Sequence, residues 1–218
     1  MDFSMPRPSR NIDQLLIQAG LTLLPKVGMR GLSIRQIAEH AGVNLGMFHY
    51  HFKTKGAFVR VILDQTYNEL FESLTMVSHA SDSALENLRA SFNVLAKFGR
   101  DHRELIVTLM GDGLAGEQVA VEFLHANMPR HLSIIMRLLE GAQREGTLKK
   151  IPLPQALTFM IGAVAAPIMG GAAAMRNGLL PPTLGAQLET HVFTDRAILE
   201  RIDMALMGLA ASPKTRSR

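Results

Sequence analysis

Apolar residues recur every three or four positions along most of the 218-residue chain, and this spacing constrains the fold more than any other feature. It puts apolar side chains on one face of an α-helix, whereas a half-buried strand requires strict alternation, which the chain does not show over any long stretch. The first such stripe runs from Ile12 to Leu23. We therefore predict an all-α protein, whose length allows one or two domains with a substantial core.

Three helices are predicted within residues 10–52. Ser33 and Gln36 have the spacing of a capping box at the start of a short second helix. Gly42 then breaks the apolar pattern, and Asn44 is a favourable N-cap for a short third helix. Two short helices joined by a tight glycine turn are the plan of a helix-turn-helix, whose second helix enters the major groove of DNA.

The rest of the chain also follows a helical pattern. Thr54 can cap a long fourth helix, whose apolar stripe runs from Phe58 to Leu74 and which we expect to link two domains. The later predicted helices have stripes that begin at Leu85, at Leu132 behind Pro129, near Pro154 in a segment rich in small residues, and after Asp195.

The positive charge of the chain is concentrated at its N-terminal end. Residues 1–60 contain eight Lys and Arg against three Asp and Glu, whereas the remaining 158 residues contain 15 and 16. This asymmetry favours a polyanionic partner for the N-terminal quarter. A solvated surface explains an imbalance of this size equally well, so charge alone does not decide the function.

Composition excludes several classes of protein. With no cysteine, the chain has no disulfide scaffold, thiolate zinc site or cysteine nucleophile. Residues 1–10 contain no long apolar run, so we expect no secretory signal and a cytoplasmic protein. The charge-free segment 151–175 is long enough to span a bilayer, but its prolines, glycines and many alanines favour a buried helix over a membrane span.

The run from Ile37 to Lys55 resembles the signature of the tetracycline-repressor (TetR) family. The resemblance rests on Ala-Gly-Val at residues 41–43, on the pair His51-Phe52, and on a lysine three positions beyond that phenylalanine. It covers about residues 10–60. It implies a homodimeric transcriptional regulator, usually a repressor, that binds a pseudo-palindromic operator in double-stranded DNA and is released by a small-molecule effector.

The resemblance also implies a domain organisation. We expect an N-terminal three-helix helix-turn-helix domain over residues 10–55. A larger helical domain for ligand binding and dimerisation should follow over residues 56–211. The tails, residues 1–9 and 212–218, are expected to be flexible.

The expected DNA contacts lie on the predicted third helix, on the side away from its core residues, and at the caps around it. They are Ser33, Asn44, Leu45, Gly46, Met47, His49, Tyr50, His51 and Lys55. By resemblance, His51 and Lys55 lie near phosphates, although packing inside the domain is an equal alternative for His51. The family usually has Thr at the position of Met47 and Tyr at that of His49, so the resemblance does not fix the base preference.

Expectations for the larger domain rest on composition and resemblance, because it contains no motif of this family. Met and Phe side chains can line a pocket for an apolar ligand, although ordinary core packing is their commoner role. The pocket candidates are Phe71, Phe92, Met110, Phe123, Met136 and Phe159. The candidates for the dimer interface lie on the last two predicted helices, where the family forms a four-helix contact, and are Gly162, Ala163, Ala166, Gly170, Ile198 and Ile202.

A rival motif lies at Gly111–Gly116, which satisfies G-x-G-x-x-G and follows the strand-like run Leu105–Met110. It would indicate a nucleotide-dependent oxidoreductase, but that fold needs several further parallel strands, so we expect a helix end and a loop instead. Glu122 and His125 lack the second pair that a di-iron bundle requires. We therefore expect no metal site, no cofactor, no catalytic residue and no enzymatic activity, and a helical interaction module remains a second alternative.

Overall fold

The computed structural model describes residues 10–211, and within that range the backbone forms ten α-helices and no β-strand. The predicted all-α class is therefore confirmed, while the predicted tails lie outside the described residues. The helices are α1 (Arg10–Gly31), α2 (Ile34–Ala41), α3 (Leu45–Phe52), α4 (Lys55–Val77), α5 (Ala84–Asp101), α6 (Arg103–Leu114), α7 (Gln118–Arg144), α8 (Leu153–Arg176), α9 (Pro182–His191) and α10 (Asp195–Leu209).

The chain divides into two compact units, and the division differs from the expected boundary after residue 55. The N-terminal unit contains the described residues up to Tyr67 together with Thr108–Leu124, and the C-terminal unit contains Asn68–Val107 and the described residues from His125 onward. The first half of α4 therefore packs with α1 to α3. So does the segment that joins α6 to α7.

The N-terminal unit is closed by contact between α1 and α4. At Gly20, an added Cβ would lie 2.3 Å from Cδ1 of Ile62 and 2.6 Å from Cζ of Phe58, so only glycine permits this approach. The rings of Phe48, Phe52 and Phe58 pack with centroids 4.9 to 5.7 Å apart. Because this cluster joins α3 to α4, it fixes the position of the short third helix.

Local signals set the ends of the short helices, as predicted. The Ser33 hydroxyl accepts from the Gln36 N–H at 3.2 Å, and the Gln36 side chain accepts from the Ser33 N–H, which completes the capping box. Gly42 ends α2 with φ +68°, and Asn44 caps α3. Thr54 caps α4 by accepting from the N–H of residue 57 at 3.1 Å.

The core of the C-terminal unit forms where α5, α8 and α10 pack together. Leu88 and Phe92 from α5, Met160 from α8, and Ile198 and Ile202 from α10 are all buried in it. These three helices are far apart in the sequence. The core therefore depends on helix packing that no local signal encodes.

The strand-like run Leu105–Met110 lies inside α6, in agreement with the expected helix end at Gly111–Gly116, since a short apolar run does not distinguish a buried strand from a buried helix. Two other elements differ from the sequence-based expectations. Helix α7 begins at Gln118 rather than behind Pro129, and it continues through the proline, which removes one backbone donor without ending so long a helix. Helix α9 was not predicted.

Helix α8 is long and apolar enough to cross a bilayer, judged by length and composition alone. One of its faces belongs to the core of the C-terminal unit, since its buried residues recur every four positions from Ala156 to Ala172. The opposite face carries exposed apolar or small residues, which are Phe159, Ile161, Gly162, Ala166 and Gly170. This helix therefore has a second apolar face, which the described chain leaves uncovered.

Candidate nucleic-acid interface

Helix α3 has one side in the core and one side in solvent. Phe48 and Phe52 are buried, whereas Leu45, His49 and Tyr50 are exposed, with 73% of Tyr50 open to solvent. The exposed side combines an aliphatic group, an imidazole and a phenol on a short helix. Such a helix fits the major groove, where apolar groups meet thymine methyls and polar groups meet base edges.

The N-terminus of α3 is ordered by its cap. The Asn44 side-chain oxygen accepts from the Met47 N–H at 3.0 Å, and a Cβ at Gly46 would lie 3.2 Å from that oxygen. The exposed helix start leaves its first N–H groups near solvent, where a phosphate can accept from them. Ser33 and Asn44 thus have a structural role as caps, and their contact with DNA stays a prediction.

His49 is held at the C-terminal end of α3. Its Nδ1 lies 3.3 Å from the carbonyl oxygen of Lys53. Since a carbonyl only accepts, this contact requires a proton on Nδ1, and in the neutral ring Nε2 is then an acceptor. An acceptor at this position suits the amino groups of adenine or cytosine.

Lys55 and His51 are engaged inside the N-terminal unit. The Lys55 ammonium donates to the carbonyl oxygen of Met29 at 2.8 Å in a partly buried position. The Nε2 atom of His51 is buried and has no hydrogen-bond partner in the described part of the chain, and its ring packs edge-on against Tyr50. These contacts favour structural roles for both residues over the expected phosphate contacts.

Several of the basic side chains that gave the N-terminal end its charge are paired. The ion pairs are Arg30 with Glu117, Arg35 with Glu39, and Arg60 with Glu122. The hydrogen bond that Arg35 donates to Glu39 raises the pKa of Arg35 above its usual value, and the one that Arg60 donates lowers the pKa of Glu122. Sequence charge therefore overstates the number of cations free to meet phosphates.

Lys53 is a candidate that sequence reasoning left out of the site. It is exposed, follows α3 directly, and has φ +58°, which is uncommon for a residue other than glycine. The Thr54 N–H donates to the Phe52 carbonyl across it, which makes a tight and strained γ-turn. Within residues 10–211 its ammonium forms no hydrogen bond or ion pair that would compete with a phosphate. No sequence signal marks it beyond its charge.

The six expected pocket residues do not gather in one unit. Met110 and Phe123 belong to the N-terminal unit, and the other four belong to the C-terminal unit. Met110 and Phe159 are exposed by 41% and 46%, whereas Phe92 is a core residue. Phe71 packs under the guanidinium of Arg130, which lies 4.0 Å from its ring centroid. The pocket assignment therefore stays a prediction.

The expected interface residues separate into two groups. Gly162 and Gly170 are exposed, and neither has an atom within 4 Å of an added Cβ. Ile198 and Ile202, in contrast, are 0% exposed within the core of the chain itself. These two isoleucines are therefore corrected to core residues, because a side chain without accessible surface has none to bury against a second copy.

The segment Gly111–Gly116 ends helix α6. Gly116 has φ +76°, its N–H donates to the Gly113 carbonyl, and the N–H of Glu117 donates to the Asp112 carbonyl. These bonds form a Schellman cap, which satisfies the last carbonyls of a helix rather than a pyrophosphate. In the described range, no group of three His, Asp or Glu side chains is placed to hold a metal ion.

The sequence of the N-terminal unit matches a known family. Residues 16–62 match the model described as bacterial regulatory proteins, tetR family. YttP of Bacillus subtilis, a probable HTH-type transcriptional regulator, is 23% identical over 142 residues, which cover 64% of this chain and 68% of YttP. The HTH-type transcriptional repressor KstR2 of Mycolicibacterium smegmatis is 30% identical over 107 residues. That alignment covers 49% of this chain and 51% of KstR2, so the chain spans about half the length of this relative.

Solved structures resemble the chain over most of its length. The ketosteroid transcriptional regulator KstR2 of Mycobacterium tuberculosis has a TM-score of 0.70 at 17% identity, covering 92% of this chain and 95% of that one. The TetR family transcriptional regulator PfmR of Thermus thermophilus has a TM-score of 0.66 at 14% identity, covering 88% and 97%. At these identities the likeness shows a shared fold.

Proposed function

We propose that the protein is a sequence-specific transcriptional repressor, and the premise is that residues 16–62 match the tetR family of bacterial regulatory proteins. The observation that carries the proposal is the exposed side of α3, where Leu45, His49 and Tyr50 stand together on a helix anchored by two buried phenylalanines. A rigid anchor and an open reading side are what direct readout requires. Lys53 and the start of α3 supply phosphate contacts beside it.

The protein acts as a homodimer on a pseudo-palindromic operator. Support comes from the uncovered face of α8, where Gly162 and Gly170 permit close approach and Phe159 and Ile161 supply apolar area. Ala163 and Ala166 share this helix. We assign this face to a second copy of the chain and not to a bilayer. A membrane-spanning helix would face lipid, whereas the other face of α8 is already buried in the core of the C-terminal unit. This assignment fits a protein of the cytoplasm.

A small and largely apolar effector releases the repressor from DNA. Support comes from the composition of the C-terminal unit, where flexible Met and aromatic Phe side chains are frequent. Release requires that the effector bind the arrangement that does not bind DNA more tightly than the one that does. Helices α4, α6 and α7 each run from one compact unit into the other, so they are the connections through which this preference is transmitted.

The two other functional classes have less support. A nucleotide-dependent oxidoreductase needs a strand before Gly111–Gly116, and that run lies in a helix. A helical interaction module that does not bind DNA does not explain the exposed aliphatic, imidazole and phenol groups on α3. The curated relatives are described as transcriptional regulators rather than as enzymes.

Selection from a randomised duplex pool near physiological salt tests the proposal. We expect the protein to enrich an inverted repeat whose half-sites lie about one helical turn apart, because two symmetry-related heads read one face of the duplex. A Tyr50→Ala variant, which changes only an exposed side chain, is the matched test of base reading. It should lose or alter that enrichment. A folded dimer that enriches no sequence would contradict the proposal.

A further inference from the structure

Residues 108–117 hold the backbone of the turn that precedes the helix-turn-helix. The Thr108 hydroxyl, itself buried, donates to the Pro25 carbonyl at 2.9 Å. The Asp112 carboxylate accepts from the Met29 N–H at 2.9 Å. Arg30 donates to the carbonyl oxygen of residue 115 at 3.1 Å and pairs with Glu117. All of these residues belong to the N-terminal unit, although the two segments are far apart in the sequence.

The turn at Gly28 is shaped for the Asp112 carboxylate. Gly28 has φ +69° and ψ 174°, a backbone conformation that L-residues with side chains avoid. A Cβ at Gly28 would also lie 3.3 Å from one carboxylate oxygen of Asp112. The positive φ favours glycine at this position, and a Cβ here would also crowd the Asp112 carboxylate.

Met29 is bound on both sides of its backbone by charged side chains. Its N–H donates to Asp112 from the end of α6, and its carbonyl accepts from Lys55 at the start of α4. The Met29 side chain is buried, and the capping box of α2 begins shortly after it at Ser33. These two hydrogen bonds at Met29 therefore set the direction in which the chain enters α2. They also set the position of α3, which follows α2.

We propose that Asp112 is a positioning residue for DNA recognition, which fixes the orientation of α2 and α3 by holding the Met29 amide. This inference rests on the proposed function. Specific binding needs two heads in one fixed arrangement, whereas non-specific binding to phosphates tolerates many arrangements. Loss of the Asp112 contact should therefore weaken specific binding selectively.

A charge effect is the alternative, since a carboxylate near a DNA-binding surface repels phosphates. The two explanations predict opposite results for Asp112→Asn. The amide oxygen of asparagine still accepts from the Met29 N–H, while the negative charge is gone. Positioning predicts that this variant resembles the wild type, and charge repulsion predicts that it binds all DNA more tightly.

The experiment compares the wild type with Asp112→Ala, Asp112→Asn and the control Glu104→Ala. Glu104 is exposed, lies on the same helix, and forms no side-chain hydrogen bond or ion pair within the described residues. Affinity is measured by fluorescence anisotropy for the duplex that the wild type selects and for a base-shuffled duplex. We expect Asp112→Ala to weaken binding to the selected duplex about tenfold, since it removes one hydrogen bond to a charged acceptor. Its affinity for the shuffled duplex should change little, and its melting temperature should fall by only a few degrees, because one part-buried N–H loses its charged acceptor.

Equal loss on both duplexes, or an Asp112→Asn variant as weak as Asp112→Ala, would overturn the proposal. Hydrogen exchange provides a readout that needs no DNA. The Met29 amide should exchange faster in Asp112→Ala than in the wild type and in Glu104→Ala, and unchanged protection would equally overturn the proposal. If the wild type itself does not distinguish the two duplexes, the proposed function fails, while the exchange result still decides the role of Asp112.

Discussion

At the scale of single residues, two neighbouring lysines illustrate how similar sequence signals lead to different roles. Lys55 resembles a family position expected near phosphates, but its ammonium donates to the Met29 carbonyl inside the N-terminal unit. Lys53 is exposed and has no such contact among the described residues. The charges look equivalent in the sequence because a distant backbone acceptor leaves no local trace.

These two lysines predict a separable pair of effects. The logarithm of the DNA association constant falls linearly with the logarithm of salt concentration. Lys53→Met should make this slope less steep by about 0.9, which corresponds to the loss of one phosphate contact. Lys55→Met should leave that slope unchanged and lower the free energy of unfolding by about 1 to 3 kcal/mol, because the Met29 carbonyl loses a charged donor. Salt titrations and denaturant unfolding measure the two quantities. An equal fall of slope in both variants would contradict the assignment.

At the scale of elements, packing decides which glycines are replaceable. Gly20→Ala places a Cβ within 3 Å of both Phe58 and Ile62, and overpacking of this kind costs about 1 to 3 kcal/mol. That cost should exceed the gain of up to about 1 kcal/mol in helix propensity. Gly111→Ala is the matched control, since it is also helical and has no atom within 4 Å of the new Cβ. Unfolding measurements should show destabilisation at residue 20 and none at residue 111. Stabilisation at both would show that α1 and α4 do not pack as described.

Elements defined by local signals could be predicted, and elements defined by packing could not. The caps at Ser33, Asn44 and Thr54 depend on residues within three positions, so the sequence alone located the starts of α2, α3 and α4. The end of helix α6 at Gly111–Gly116 was expected, but its start was not located, because its apolar run is compatible with a buried strand. The Asp112 contact with Met29 joins residues 83 positions apart, and no local pattern encodes it.

At the scale of the whole molecule, core and interface share one sequence signal. An apolar stripe with a spacing of three or four residues marks either, so Ile198 and Ile202 seemed equally suited to both until their burial within the chain assigned them to the core. The same reasoning explains α8, whose second apolar face became visible only when the first was seen to be filled. An interface between two copies is thus inferred from what the single chain leaves uncovered.

The proposed dimer can be broken at one exposed position. Gly162→Trp introduces a large ring where the single chain has open space, so the fold should tolerate it while a close helix contact between copies should not. Sedimentation velocity should therefore show monomers for this variant. Gly111→Trp, an equally open site on another helix, should remain dimeric. A Gly162→Trp protein that still sediments as a dimer would remove α8 from the interface.

The exposed side of α3 reads DNA sequence in the proposed function, and the ratio of two affinities decides whether it does. The wild-type protein is titrated, near physiological salt, with the duplex that it selects and with the same bases in shuffled order. We expect at least about a thousandfold preference for the selected duplex, as is typical of specific regulators. A ratio near one would mean that the domain binds DNA through charge alone and that α3 does not read sequence.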